Sequence, residues 1–279
     1  MKNLLKSLPR KKENAEYSKE HLFYLKTQKK RALVINVARI TVLLLFLLIW
    51  ELSAHFEWVN PFITSSPSRI VKTIVGLYQN GSLFYHVGTT LWETLLGFVI
   101  AVTLGYSIAL LLWWSEAFRK ISEPYLVVLN ALPKIALGPL IIIWCGTGSK
   151  AIVFMTVLIG LIVAILNMLG GFNATDENKL LLLKSMGASK AQILTKLVVP
   201  SALPEFISML KINVGMSWIG SIMGEYIVSK AGIGYLIVYG GQVFKLDLVM
   251  SAVLILCILA AAMYALVAFL EKLVVKNTK

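Results

Sequence analysis

The sequence predicts an all-α integral membrane protein with six transmembrane helices. Three observations carry that prediction. Of the 279 side chains, 58% are hydrophobic and only 15% are charged, whereas soluble domains carry about 25% charged residues. Six apolar runs are each long enough to cross about 30 Å of hydrocarbon as a helix, which takes about 20 residues. The basic residues, finally, are shared unevenly among the segments between those runs. Ten of the 27 Lys and Arg fall in the first 31 positions, ahead of the first apolar run. With no nucleic-acid motif beside it, that surplus fits a membrane surface and not a nucleic acid.

The first run, about 32–54, begins too deep and is too long for a cleavable leader, and no small-x-small site follows it. The others lie at about 88–114, 124–146, 150–171, 205–228 and 247–271. If the N-terminus is cytoplasmic and every run crosses, the cytoplasmic segments hold 19 basic residues and the outer ones five. The positive-inside rule favours that orientation. Both termini are then cytoplasmic, with basic tails at 1–31 and 272–279 flanking a membrane domain at 32–271. The longest internal cytoplasmic segment is 172–204.

Between the first two runs, Ser66-Pro67-Ser68-Arg69 reads as a helix start, and Ile70, Val71, Ile74, Val75 and Tyr78 repeat at helical spacing. This predicts an outer amphipathic helix over 66–80, ending near Asn80-Gly81. Segment 172–204 is too apolar for a solvated linker and, with four lysines, too charged for a span. It reads as two short helices broken at Gly187. Ser189 with Gln192 three residues on is a capping-box start for the second, and Pro200 and Pro204 are expected to stop it and turn the chain into the fifth span. An amphipathic pair at this surface needs a place to bury its apolar stripe: lipid headgroups, its own protein, or a groove on a soluble partner.

At these residues the chain resembles a known family. Gly187-Ala188-Ser189, then Ile193-Leu194 and Val198-Val199-Pro200-Ser201-Ala202-Leu203-Pro204, are similar to the cytoplasmic loop of binding-protein-dependent ABC importer permeases, nearest the nitrate/sulfonate/taurine branch. Ser65-Ser66-Pro67-Ser68, Leu95-Leu96-Gly97-Phe98, Ala131-Leu132-Pro133, Trp144-Cys145-Gly146-Thr147-Gly148 and Glu225-Tyr226-Ile227 continue the resemblance in order over about 60–279. It implies a type I (MetI-like) permease core of five spans plus an N-terminal span, in a bacterial cytoplasmic membrane. It also implies that the chain forms the path for a small nutrient such as a sulfonate, taurine, nitrate or vitamin precursor. The implied partners are two ABC ATPase subunits that bind ATP and Mg, a second permease subunit (a copy or close paralogue), and an extracellular or periplasmic solute-binding protein. The ATPases would dock on Leu181, Leu182, Leu183, Gly187, Ala188, Ser189, Ile193, Leu194, Pro200 and Pro204. Two departures stand out. Leu181-Leu182-Leu183 occupies the branch's acid-Ala-Ala positions, the nearest carboxylate being Glu177, and Glu93 replaces a usual basic residue.

The chain has no G-x-x-x-x-G-K-[ST] to hold ATP. Gly146-Thr147-Gly148-Ser149-Lys150 has the wrong order for it. Three dispersed histidines and two distant cysteines, Cys145 and Cys257, suggest neither a metal site nor a disulfide. No catalytic set and no bound cofactor are therefore expected. Charges within spans are costly, about 2.5–3.5 kcal/mol or more at the bilayer centre. Arg39 and Glu51 sit near the ends of the first span and snorkel. Glu93, Lys134, Lys211 and Glu225 serve either buried pairs or the substrate path, and Pro133 predicts a kink beside Lys134. Asn130, Lys134, Lys211, Trp218 and Glu225 are the path or gating candidates. Gly220 and Gly224 form a small-x-x-x-small pair for helix packing or contact with the second permease. The rival function is an ion-coupled secondary transporter using those charges as a relay. The lack of an internal repeat and the apolar loop both speak against it.

Overall fold

A computed structural model describes residues 19–276. Among them there are helices and no strands. The chain divides into two compact units, 1–61 and 62–279. The described part of the first is dominated by α1 (Lys19–His55), a helix of 37 residues. It starts well before the first apolar run. Lys, Arg, Gln and Leu are good helix formers, so 19–31 of the basic tail is helical and continuous with the first apolar run. The rest of the N-terminal tail, 1–18, and the last three residues of the C-terminal one lie outside the described residues.

The second unit contains α2 (Pro67–Gln79), α3 (Ser82–Trp114), α4 (Glu116–Ala131), α5 (Gly138–Cys145), α6 (Ser149–Asn173), α7 (Glu177–Ser185), α8 (Lys190–Ile193, prolonged through Leu194–Val198 and Val199–Ser201), α9 (Leu203–Val228), α10 (Ile233–Gln242) and α11 (Leu246–Lys276). Helices α1, α3, α6, α9 and α11 are each long and apolar enough to cross a membrane. The third apolar run is not one helix. It is the pair formed by α4 and the segment Lys134–Cys145, bent by 87°. Leu132 is extended, with φ −63° and ψ 129°, because the ring of Pro133 excludes the helical conformation from the residue before it.

The core is α6 held between α3 and α9. Gly97 and Gly105 of α3 face Thr156 and Ala164 of α6, so those two helices run parallel. Gly220 and Gly224 of α9 face Thr156 and Ile152 in the reverse order, which makes α9 antiparallel to α6. A Cβ at Gly220 would lie 2.5 Å from Thr156 Cα, and one at Gly224 3.0 Å from Ile152 Cα. Close backbone approach of this kind substitutes for hydrophobic driving force inside a bilayer. Both glycines thus serve helix packing within the chain. At the end of the bundle where α6 stops, Leu112, Met168, Phe172, Ile193, Val198 and Met209 form one apolar cluster. At the opposite end α2, α10 and α11 share another, built on Ile233, Leu236, Leu248 and Ile255. The Arg69–Asp247 ion pair, 2.9 Å, ties α2 to α11 there.

Candidate functional site

The segment after α6 folds from local signals. Asp176 caps α7 by accepting the Asn178 N–H at 2.9 Å. The helix ends at Gly187, whose φ of +76° is a left-handed conformation that costs any residue with a Cβ. Ser189 and Gln192 then form a complete capping box: the Ser189 hydroxyl accepts the Gln192 N–H (3.3 Å), and the Gln192 side chain accepts the Ser189 N–H (2.8 Å). Pro200 does not end α8. The chain widens into a π-helical turn at Leu194–Val198 and stays helical through Pro200 to Ser201. The wider turn accommodates the ring and the missing N–H that would otherwise break an α-helix. The break falls at Ala202, and Pro204 sits in the first turn of α9, where it costs nothing.

The two loop helices have opposite exposures. On α7, Leu181 and Leu182 are 60% and 61% exposed, and Met186 beyond it is 73% exposed. On α8, Ile193 is 5% exposed and Val198 is fully buried. Leu183, Ala188 and Leu194 pack against that same cluster. Ile193, Leu183 and Leu194 therefore anchor the loop to its own bundle, and the large apolar side chains it leaves exposed are Leu181, Leu182 and Met186. Lys190, the first residue of α8, reaches back to α3. Its Nζ donates to the Trp114 carbonyl at 2.5 Å and lies 5.6 Å and 5.9 Å from the ring centroids of Trp114 and Trp113.

The path candidates disperse. Glu225 is 1% exposed, and its Oε2 accepts the Gly234 N–H at 2.5 Å. The neighbouring donors of α10 are taken in the same way, Ile233 N–H by Thr90 Oγ1 (2.8 Å) and Gly232 N–H by His86 Nδ1 (3.0 Å). Three side chains from α3 and α9 thus satisfy the donors that open α10. Glu93, also 1% exposed, adjoins Glu225 and Ser149 in this group. Lys211 forms an ion pair with Glu271 at 2.7 Å, joining α9 to α11. Lys134 donates to the Asn130 carbonyl at 3.2 Å, across the bend. Trp218 is 4% exposed, packed with Val214, Met263 and Val267.

Sequence reasoning missed His86, Thr90 and Glu271 as partners. It also missed a buried stripe on α9, Asn213, Ser217, Ser221 and Glu225, in which Ser221 meets Thr94 at 2.7 Å. A signal existed for the stripe: four polar residues exactly four apart in an apolar helix share one face. Among the described residues, no group of three or more His, Cys, Asp or Glu is placed to hold a metal ion.

Residues 101–279 match the family described as the binding-protein-dependent transport system inner membrane component. The formylaminopyrimidine transport permease protein ThiX of Halalkalibacterium halodurans is 34% identical over 193 residues, covering 69% of this chain and 76% of that protein. The taurine transport system permease protein TauC of Escherichia coli is 23% identical over 235 residues, covering 82% and 84%. Among solved structures, the fold matches a chain of the inward-facing MetNI methionine ABC transporter with a TM-score of 0.59 at 18% identity, covering 70% of this chain and 94% of that one.

Proposed function

This chain belongs to the binding-protein-dependent transport system inner membrane components, and we propose that α7 is the surface on which an ATPase subunit docks to drive it. The chain is the permease subunit of an ABC importer, a multi-span membrane protein that does no bond chemistry itself. One observation carries the docking assignment: Leu181, Leu182 and Met186 are exposed together at one end of the bundle, beside a helix whose own apolar residues are buried. ATP and Mg bind to two ATPase subunits. Closure of that pair displaces the loop, and the spans follow between inward- and outward-facing states, driven by contacts that differ between the two. A second permease subunit completes the path, and an external binding protein delivers the substrate. Glu177, on the first turn of α7, stands in for the carboxylate that Leu181-Leu182-Leu183 lack.

The substrate is a small anionic or heterocyclic nutrient, a class supported by relatives that carry formylaminopyrimidine and taurine. A charge relay has less support: Lys211 is paired with Glu271, Lys134 lies on a backbone carbonyl, and Glu225 caps α10. Leu182→Asp tests the docking surface. The side chain is exposed, so the permease itself should fold and reach the membrane normally. The ATPase subunit should no longer co-purify with it, and uptake should cease. Full retention of the ATPase would remove Leu182 from the interface.

A further inference from the structure

Helix α8 is fixed to the bundle twice, in two different ways. Ile193 and Val198 bury apolar surface against α3, α6 and α9, one turn or more into the helix. Its first residue, Lys190, is held by groups at the end of α3. Trp114 is the last residue of α3, so its carbonyl has no partner within the helix and lies at the negative end of the helix dipole. The Lys190 ammonium donates to that carbonyl and faces both terminal indole rings, whose faces attract cations. Glu116, just beyond, adds negative charge nearby, although its carboxylate is paired with Lys120 at 2.9 Å.

We infer that Lys190 is a positioning residue that makes the start of α8 and the end of α3 move as one piece when α7 is displaced. The inference rests on the reading of α7 as the ATPase dock. Because Ile193 and Val198 already hold α8 in place, Lys190 is not needed to keep the loop on the protein. Ala188, next to Gly187, adds only an apolar contact to the same cluster, and Lys190 is the first directional contact after it, setting the angle at which α8 meets α3. Without it the first turn of α8 swings on the glycine joint, and displacement of α7 is absorbed there before it reaches the membrane helices.

The test uses the permease–ATPase complex purified from its host and reconstituted in vesicles with the loaded binding protein. Lys190→Met keeps the length and apolar stem but loses the charge. Assembly should be unchanged, while substrate taken up per ATP hydrolysed should fall on the order of fivefold, the lower end of typical coupling between sites. Lys190→Arg keeps the charge and stacks on aromatic faces, so it should restore most of the ratio. A normal ratio in Lys190→Met would overturn the inference. So would loss of the ATPase subunit from that variant, which would make Lys190 an assembly residue. If Leu182→Asp leaves the ATPase subunit bound, the docking reading itself fails, and that outcome is separate from any result at Lys190.

Discussion

At Glu225, the cost of placing a carboxylate inside a membrane protein is offset by a backbone that needs an acceptor. The helix that opens at Ile233 has donors at Gly232, Ile233 and Gly234, and each finds one side chain. His86 accepts through Nδ1, so its proton is on Nε2. An acceptor at position 225 is what this joint requires, and the amide oxygen of glutamine supplies one. Glu225→Gln should therefore keep thermal stability in detergent close to wild type. Glu225→Leu leaves the buried Gly234 donor unpaired, which costs about 1–3 kcal/mol, and its melting temperature should drop clearly. Equal loss of stability in both variants would mean that charge, not hydrogen bonding, holds α10. The sequence marked Glu225 as expensive, yet it did not reveal what it serves. The acceptor and its donor are nine residues apart across a turn, and the two companions come from α3, more than 140 residues away.

Among the elements, the loop helices divide into what is local and what is not. The break at Gly187 and the capping box at Ser189 were legible because both depend on residues within four positions. The side of α8 that is buried was not legible, because it depends on α3 and α6, which lie far away in sequence. Ile193 and Leu194 read equally well as a partner-facing stripe or a self-facing one. The glycine joint gives a prediction with an internal control. Nothing lies within 4 Å of where a Cβ at Gly187 would stand, so a substitution there is resisted by backbone conformation and not by crowding within the chain. Valine in a left-handed conformation costs roughly 1–2 kcal/mol, and asparagine tolerates it better. Gly187→Val should reorient α7 and weaken ATPase co-purification and stimulation, whereas Gly187→Asn should preserve both. If the two behave alike, the φ of +76° is not what sets the angle between α7 and α8.

For the molecule as a whole, the decisive fact is that α3 and α6 run parallel. Gly97 meets Thr156 and Gly105 meets Ala164, both numbers rising together. The chain leaves α3 at Trp114, beside Lys190 of the loop, and must begin α6 at the other end of the bundle. The segment 116–145 therefore carries it back across the full thickness, despite its 87° bend. Neither half is long enough to cross alone, at 16 residues for α4 and eight for α5 against the ~20 a span requires. Together they are long enough to make the return, so we propose that the pair acts as one span, which with α1 brings the candidate spans to six. With six spans, the basic residues divide 19 against five, and on the positive-inside rule we propose that the loop end is cytoplasmic. Single cysteines introduced where Cys145 and Cys257 have been replaced by serine test this directly. Ser82→Cys, at the start of α3, and Thr147→Cys, just before α6, should both react with an impermeant maleimide in intact cells. Ser185→Cys, on α7, should react only after permeabilisation. Thr147 is the informative position. If 116–145 dipped into the membrane and came back out on the side it entered, Thr147→Cys would label with Ser185→Cys, and α3 and α6 could not lie parallel in one bilayer.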